Sequence, residues 1–205
     1  MHTSPRKLVL SLRLYSFGVY RLERYITVSA PPAHINVQVR EGNKLAMQGE
    51  VMTNQAACKT PFNLLVVLSD EGASIGDLFL DNGVDITMGR EKKTWSFVVF
   101  SAISTNNSIT ITSNVINRDF AVAQKWIINK ISILGFRNRK NIQAYTLQAG
   151  GRVLRNHGSR STSNPDKRGQ FIVAEIPSLQ LSVGYDFMLK LKLEHRGDTR
   201  FTNYT

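Results

Sequence analysis

The 205-residue sequence predicts an all-β protein built as an antiparallel β-sandwich. Three observations support this prediction: apolar and polar residues alternate with a period of two, turn signals recur every ~8–12 residues, and helical spacing is scarce. A (β/α)₈ barrel takes about 250 residues and eight helical segments. Because the sequence offers neither, it argues against a barrel.

The strands of the first half follow from the alternation. Residues 34–40 alternate Ile, Val and Val with Asn, Gln and Arg, which is typical of a strand with one buried face. Residues 62–69 are apolar almost throughout, as expected of a strand covered on both faces. Residues 77–80 predict another short strand, which ends in the turn-like 81–83 because Asn and Gly tolerate positive φ.

The second half adds a hairpin and three more strands. Residues 95–101 and 108–113 are β-branched and aromatic, and the polar tripeptide 105–107 between them predicts a hairpin. The remaining predicted strands are 126–134, 170–176 and 185–193. Helical i, i+3, i+4 spacing occurs in 120–131, but its Trp-Ile-Ile run favours a strand.

Three features divide the chain. Pro31-Pro32 introduces a new strand, and residues 49–59 lack alternation, which indicates a linker or a domain seam. Residues 150–169 are rich in Gly, Ser, Asn and Arg, which predicts a mobile surface loop.

The N-terminal residues combine a basic start with an apolar stretch. Ser11 and Arg13 interrupt the roughly 7–15 apolar residues that a secretory signal needs, and no small-residue cleavage site follows. The lack of acidic residues before Glu23 fits a transit peptide loosely. An extended segment is favoured over both, and no uncharged apolar run of about 18 residues predicts a membrane span.

The positive charge lies in two segments. The chain carries 26 Lys and Arg against 15 Asp and Glu, a net +11, of which residues 1–24 supply +4 and residues 137–168 supply +7. A basic protein suggests a nucleic-acid partner, because phosphate contacts release counterions. Residues 146–170 hold no aromatic side chain except His157 for stacking on bases, so a solvated basic loop is favoured.

Candidate catalytic residues are few. Asp77, Asp81 and Asp85 are spaced four apart around a predicted turn, which they are expected to solvate. The calcium-loop pattern that starts at Asp81 lacks its last glutamate, where Lys92 stands. The histidines lie far apart in the sequence, and no Gly-x-Ser-x-Gly motif occurs. Cys58 is predicted to be a half-buried apolar residue. The sequence therefore predicts no catalytic, metal or cofactor site.

Two residue types remain as candidates for contact with sugars. Tryptophan rings stack on sugars when exposed, but Trp95 and Trp126 lie inside apolar strand runs, so burial in the core is predicted. N-glycosylation sequons begin at Asn106, within the predicted hairpin loop, and at Asn203. They matter if the chain is secreted.

Several segments between Tyr25 and Phe136 form a recognisable pattern. They are Ala30–Gly42, Leu45–Gly49, Lys59–Phe62, Gly76–Asp81 and Gln124–Ile128. In these segments the chain closely resembles the C-terminal end of plant α-glucosidases and α-xylosidases of glycoside hydrolase family 31. A weaker likeness runs through 145–147 and 169–171 to 185–193, whereas residues 1–24 do not match.

The resemblance implies a place in a larger architecture. These enzymes have a catalytic barrel followed by a proximal and a distal β-sandwich domain. The implied division is a basic segment without a match (1–24), the last strands of the proximal domain (25–55), the distal domain (56–195) and a polar tail (196–205). The family often has Asp-Asp-Gly-Glu where this chain reads Asp81-Asn82-Gly83-Val84, so no ion or sugar contact is carried over there.

The function that the resemblance implies is not catalytic. The family's nucleophile lies in a Trp-x-Asp-Met-Asn-Glu barrel strand and its acid/base aspartate later in the barrel, and neither segment occurs here. The expectation is an accessory β-sandwich, not an enzyme, whose partner is the barrel of a parent-type enzyme or a second copy. Two alternatives stay open, a carbohydrate-binding module using surface aromatics such as Tyr145 or Tyr185 and a polyanion binder through loop 137–168. No cofactor, nucleic acid or membrane is expected as a partner.

Overall fold

The structure, a computed structural model, describes residues 8–13, 16–21, 37–49, 51–85, 94–135, 140–149, 152–157 and 174–195. Over these residues the elements are β1 (Leu8–Arg13), β2 (Ser16–Arg21), β3 (Val37–Arg40), β4 (Lys44–Met47), α1 (Asn54–Ala57), β5 (Phe62–Val67), β6 (Ala73–Asp81), β7 (Trp95–Ser104), β8 (Ser108–Ile116), α2 (Asp119–Gln124), β9 (Ile127–Leu134), β10 (Lys140–Ala149), β11 (Arg152–His157), β12 (Ala174–Ile176), β13 (Leu181–Ser182) and β14 (Phe187–His195). The predicted all-β sandwich is confirmed, because two sheets enclose a common core.

One of these sheets, here called the front sheet, has the strand order β11-β10-β14-β8-β7-β6 over the described residues. Its neighbouring strands are all antiparallel. The predicted hairpin is confirmed, since Ser104 pairs with Ile109 and the Thr105 amide donates to Ser108 O at 2.8 Å. Along β7 the even-numbered residues from Ser96 to Ala102 are buried and the odd-numbered residues face outward.

The second sheet, the back sheet, has the order β12-β9-β5-β4, with β13 also paired to β9. β5 and β9 are parallel, whereas the other described pairs of this sheet are antiparallel. A parallel pair needs a long crossover, which the strands β6 to β8 provide by passing through the front sheet. The prediction for β5 is confirmed, because every residue from Leu64 to Leu68 is at most 1% exposed.

The hydrophobic core lies between the two sheets. Phe100, Ile111 and Leu189 face it from the front sheet, and Leu64 and Ile131 face it from the back sheet. Each of these side chains is at most 1% exposed. Burial of one such side chain stabilises the fold by about 1.5–3 kcal/mol.

At one corner of the sandwich the two sheets meet. Asn43 and Ile75 form an isolated parallel bridge, and the Ile75 amide donates to Gly42 O at 2.9 Å. The Val67 amide donates to Asn43 O at 3.0 Å, which ties the same segment to β5. The chain turns at Gly42, whose φ of +79° lies in the region that glycine adopts without a steric penalty.

A small sheet with the order β2-β1-β3 precedes the sandwich. β1 and β2 pair antiparallel from Leu8–Arg21 to Arg13–Ser16, so part of the predicted extended N-terminal segment is a hairpin with a defined register. The predicted domain boundary at residue 55 stays a prediction. β4, which precedes it, is hydrogen-bonded to β5, which follows it.

Two predictions of secondary structure need correction. The loop predicted for 150–169 is wrong in part, because β11 occupies Arg152–His157 and pairs with β10 from Ala149–Arg152 onward. The glycine-rich composition of the segment concealed this strand. Helical spacing in 120–131 was set aside in favour of a strand, but the segment contains both, with α2 followed by β9. Lys125, with φ +56°, ends the helix between them.

Candidate functional site

Three aromatic side chains lie together on the outer face of the front sheet, which is turned away from the core. Phe79 belongs to β6, and Trp95 and Phe97 belong to β7. Their common face follows from the register, in which Phe79 pairs with Phe97 and Asp81 pairs with Trp95. Because residues of one parity share a face of a strand, the three rings are neighbours. Phe79, Trp95 and Phe97 are called the aromatic platform below.

The rings of the aromatic platform are close and partly parallel. The centroids of Phe79 and Trp95 are 5.8 Å apart with an interplanar angle of 22°, and those of Phe79 and Phe97 are 6.4 Å apart with an angle of 48°. Since carbon atoms in contact are only about 3.5–4.0 Å apart, the Phe79 and Trp95 rings are offset. Phe79 is 49% exposed and the other two are half-buried, so the platform presents aromatic surface to the solvent.

Apolar and polar side chains border the aromatic platform. Ile116 of β8 pairs with Phe97 and is 45% exposed. Asp77 and Asn114, both exposed, pair with Val99 from opposite sides. An aromatic row and a row that carries a carboxylate and an amide therefore run side by side, ~7 Å apart, because two residues along a strand separate them.

The turn after β6 uses its polar side chains internally. Asp81 Oδ1 accepts a hydrogen bond from the Gly83 amide at 2.9 Å, and Asn82 Nδ2 donates to Asp85 Oδ2 at 3.0 Å. These bonds support the interpretation of Asp81 and Asp85 as turn residues. Asp77 and Asp81 are four residues apart on one strand, ~13 Å. That separation exceeds the roughly 5–9.5 Å of glycosidase carboxylate pairs.

The structure gives little support to a metal site, to a buried Cys58 or to a membrane-spanning helix in the described residues. Among the residues that the structure describes, no group of three or more His, Cys, Asp or Glu side chains is placed to hold a metal ion. Cys58 is exposed, which corrects the prediction of a half-buried apolar residue. None of the described helices is long and apolar enough to cross a membrane.

The predicted burial of both tryptophans in the core holds in part for Trp126, which is half-buried against the core, and is wrong for Trp95. Trp126 packs against the core, where Phe62 and Phe120 meet its ring edge-on with centroids 6.2 Å and 5.5 Å away. Trp95 lies on the outer face of the front sheet. The sequence pattern could not reveal this, because the 95–101 run is apolar on both faces. The aromatic platform was missed for the same reason.

The remaining predicted site residues are dispersed. Tyr185 is 43% exposed, and the guanidinium of Arg118 lies 6.0 Å from its ring centroid. Asn106 is exposed in the turn between β7 and β8. The side chain of Tyr145 and all of Asn203 lie outside the described residues.

Part of the basic segment 137–168 lies in strands of the front sheet. Thr146 of β10 pairs with Arg155 of β11 and with Lys190 of β14, so these positions form one row across the front sheet. Lys190 and Lys192 are exposed. Most of the segment lies outside the described residues, and binding of a polyanion through it stays a prediction.

One buried cation was not singled out from the sequence. Lys44 is 7% exposed at the corner of the sandwich, and its Nζ donates to Ser74 O at 2.9 Å. Burial lowers the pKa of Lys44 to about 7, because desolvation disfavours the charged form. No sequence signal indicates this burial, since a lysine in a short edge strand is ordinarily exposed.

Comparisons with known proteins show which proteins this chain resembles in sequence and in fold. No family model matches the sequence. The chain is 30% identical over 188 residues to an α-glucosidase of Hordeum vulgare, covering 89% of this chain and 21% of that protein. It is 25% identical over 181 residues to alpha-xylosidase 1 of Arabidopsis thaliana, covering 82% of this chain and 19% of that protein. A crystal structure of the glucosidase II alpha subunit matches with a TM-score of 0.72 at 22% identity, over 91% of this chain and 20% of that one.

The chain thus spans about a fifth of the length of the curated relatives it matches. The resemblance stated from the sequence is confirmed.

Proposed function

Since the chain is homologous to one region of family 31 α-glucosidases and an α-xylosidase, we propose that it is a non-catalytic accessory β-sandwich of an α-glucosidase-like glycoside hydrolase. The observation that carries the proposal is the extent of the match, which includes most of this chain but about a fifth of each relative. In such an enzyme the sandwich supports the part that hydrolyses terminal α-linked glucose or xylose.

The carboxylates of the candidate site are consistent with a supporting role. Glycoside hydrolysis needs two carboxyl groups held on opposite sides of the scissile bond. Asp77 and Asp81 are too far apart along β6, and Asp81 and Asp85 hydrogen-bond within their own turn. The hydrogen bonds support a structural role for Asp81 and Asp85, and the distance along β6 argues against pairing Asp77 with Asp81 in bond cleavage.

The partner in this proposal is the catalytic barrel of a parent-type enzyme, or a second copy of the chain. Apolar side chains after β4 suit such a contact, because Val51 and Met52 are 43% and 99% exposed. Leu45 of β4 is 37% exposed and lies in the same part of the chain. Exposed apolar side chains are typical of surfaces that pack against another protein.

Two experiments test the proposal. The purified 205-residue chain is incubated with maltose, p-nitrophenyl α-glucoside and p-nitrophenyl α-xyloside, with the Hordeum vulgare α-glucosidase as the positive control. We expect no product above the buffer rate, and release of sugar by the chain would overturn the non-catalytic assignment. Deletion of the matched region from the Hordeum vulgare enzyme is expected to abolish soluble, active enzyme. A stable, active deletion variant would contradict the supporting role.

A further inference from the structure

The outer face of the front sheet carries exposed apolar side chains on β6, β7 and β8, where a solvent-facing sheet is normally polar. In addition to the aromatic platform, Ile75, Ile103 and Ile116 are 63%, 62% and 45% exposed. These residues come from β6, β7 and β8 and share the face of the platform by register. The aromatic platform and Ile116 form one exposed apolar row beside the polar row of Asp77 and Asn114. An exposed apolar row of this kind indicates a binding surface.

The side chains on this face match the chemistry of a sugar. Ligand sites combine aromatic surface with a small number of placed polar groups. The C–H groups on one side of a pyranose ring pack on an aromatic ring, while its hydroxyls take hydrogen bonds. The Asp77 carboxylate accepts such bonds, and the Asn114 amide both accepts and donates them. Both groups stand ~7 Å from the aromatic row, which is within reach of a sugar ring lying on Phe79 or Phe97.

The charges near the aromatic platform favour a neutral sugar over other occupants. Asp77 and Asp81 lie on β6, the last strand of the front sheet in the described part of the chain. Carboxylates on an edge strand oppose the addition of a further strand, which argues against a β-strand partner. The centre of a protein interface is depleted in charged residues, which argues against a second protein on this surface. The same carboxylates repel phosphate, sulfate and uronic acid groups.

We propose that the aromatic platform, together with Asp77 and Asn114, is a binding site for a neutral oligosaccharide. The site goes beyond the accessory role, because binding of this kind needs neither catalysis nor a barrel. It also differs from the surface aromatics considered from the sequence, since Tyr185 lies against Arg118 rather than in the platform.

Affinity gel electrophoresis of the full chain tests the proposal, with soluble starch as a neutral α-glucan and hydroxyethyl cellulose as a neutral β-glucan. We expect retardation by at least one of them. Phe79→Leu removes a ring that is 49% exposed while keeping apolar volume, and is expected to weaken retardation roughly tenfold. Asp77→Ala is expected to weaken it severalfold. Tyr185→Ala, which removes an exposed aromatic ring elsewhere, is the matched control and is expected to bind as the original chain does.

Several results would overturn the proposal. They are no retardation by either polysaccharide, unchanged retardation of Phe79→Leu, and an equal loss in Tyr185→Ala. A platform that serves self-association instead would show a dimer that Phe79→Leu dissociates, without retardation by either glucan. Circular dichroism and thermal unfolding of each variant establish that it is folded. The hydrolysis assay is independent, so a failure of this proposal is distinct from a failure of the accessory role.

Discussion

Gly76 of β6 lies directly against the backbone of Lys44 in β4. A Cβ atom at position 76 would stand 2.7 Å from Lys44 Cβ and 2.9 Å from Lys44 O. Because β4 and β6 belong to different sheets, this contact brings the two sheets together at one corner of the sandwich. A glycine within a strand normally weakens it and often marks such a close approach of two backbones.

Gly76→Ala is therefore expected to destabilise the fold. The added methyl group meets backbone atoms that cannot rotate away, so we expect a loss of about 1–3 kcal/mol in the free energy of unfolding, measured by urea denaturation. Gly49→Ala is the control, because its Cβ would lie at an ordinary 3.4 Å from Thr60 Cβ. The control is expected to stay within about 0.5 kcal/mol of the original chain. Equal stability of the two variants would contradict the steric account.

Lys44 predicts a dependence of stability on pH. Its pKa of about 7 in the folded chain lies below the ordinary value of 10.5. Between these values the unfolded chain binds a proton that the folded chain does not, so the free energy of unfolding rises with pH. Below pH 7 both states carry the proton, and the folded state bears the full cost of a buried ammonium. We expect the free energy of unfolding, measured by urea denaturation, to increase by a few kcal/mol between about pH 7 and about pH 10.

Lys44→Met separates this effect from the other titrating groups. Methionine fills a similar volume without a charge, so at pH 6 we expect the variant to be about 1–3 kcal/mol more stable than the original chain. The advantage is expected to shrink as the pH approaches 10. Lys192→Met, which changes an exposed lysine, is expected to leave the pH profile unchanged. A Lys44→Met variant that keeps the pH dependence between 7 and 10 would show that other groups cause it.

The sequence predicted where the strands of the sandwich lie in the chain better than it predicted which face of each strand points to the core. The hairpin of β7 and β8 was predicted because a polar tripeptide separates two β-branched runs, which is a local signal. The outward position of Trp95 is not local. In a strand that is apolar on both faces, the inner face is decided by the sheet packed against it, and this depends on β5 and β9 far along the chain.

The candidate site illustrates the same limit. Phe79 and Trp95 are sixteen positions apart in the sequence and become neighbours through the pairing of β6 with β7. The burial of Lys44 likewise depends on β6 closing over β4. The pattern within one strand carries no information on either contact, whereas the continuous apolar run of residues 62–69 did predict the burial of β5.

Asn106 is expected to accept an N-linked glycan when the chain is made in a secretory host. The Asn106-Asn107-Ser108 sequon begins in an exposed hairpin turn. In an Asn203→Gln background, we expect one glycan that a peptide-N-glycosidase removes, seen as a mass shift. Asn106→Gln is expected to abolish the shift, and Asn107→Gln, which preserves the sequon, is expected to keep it. A mass shift that persists in Asn106→Gln would refute the assignment.

Trp126 is expected to contribute to stability through its ring and, to a smaller extent, through its hydrogen bond. The indole Nε1 donates to Cys58 O at 2.9 Å and so ties the segment after α1 to β9. Trp126→Phe removes this bond and keeps most of the ring, so we expect a loss of about 0.5–1.5 kcal/mol in the free energy of unfolding. Trp126→Ala also removes the edge-on contacts with Phe62 and Phe120, and a loss of about 3–5 kcal/mol is expected.

Chemical denaturation followed by far-UV circular dichroism measures both losses without relying on tryptophan fluorescence. Trp95→Phe is the matched control, because its ring lies on the outer face and is not part of the core. We expect it to cost less than Trp126→Phe. If Trp95→Phe cost more, the assignment of Trp126 to the core side and of Trp95 to the outer face would be wrong, and the aromatic platform with it.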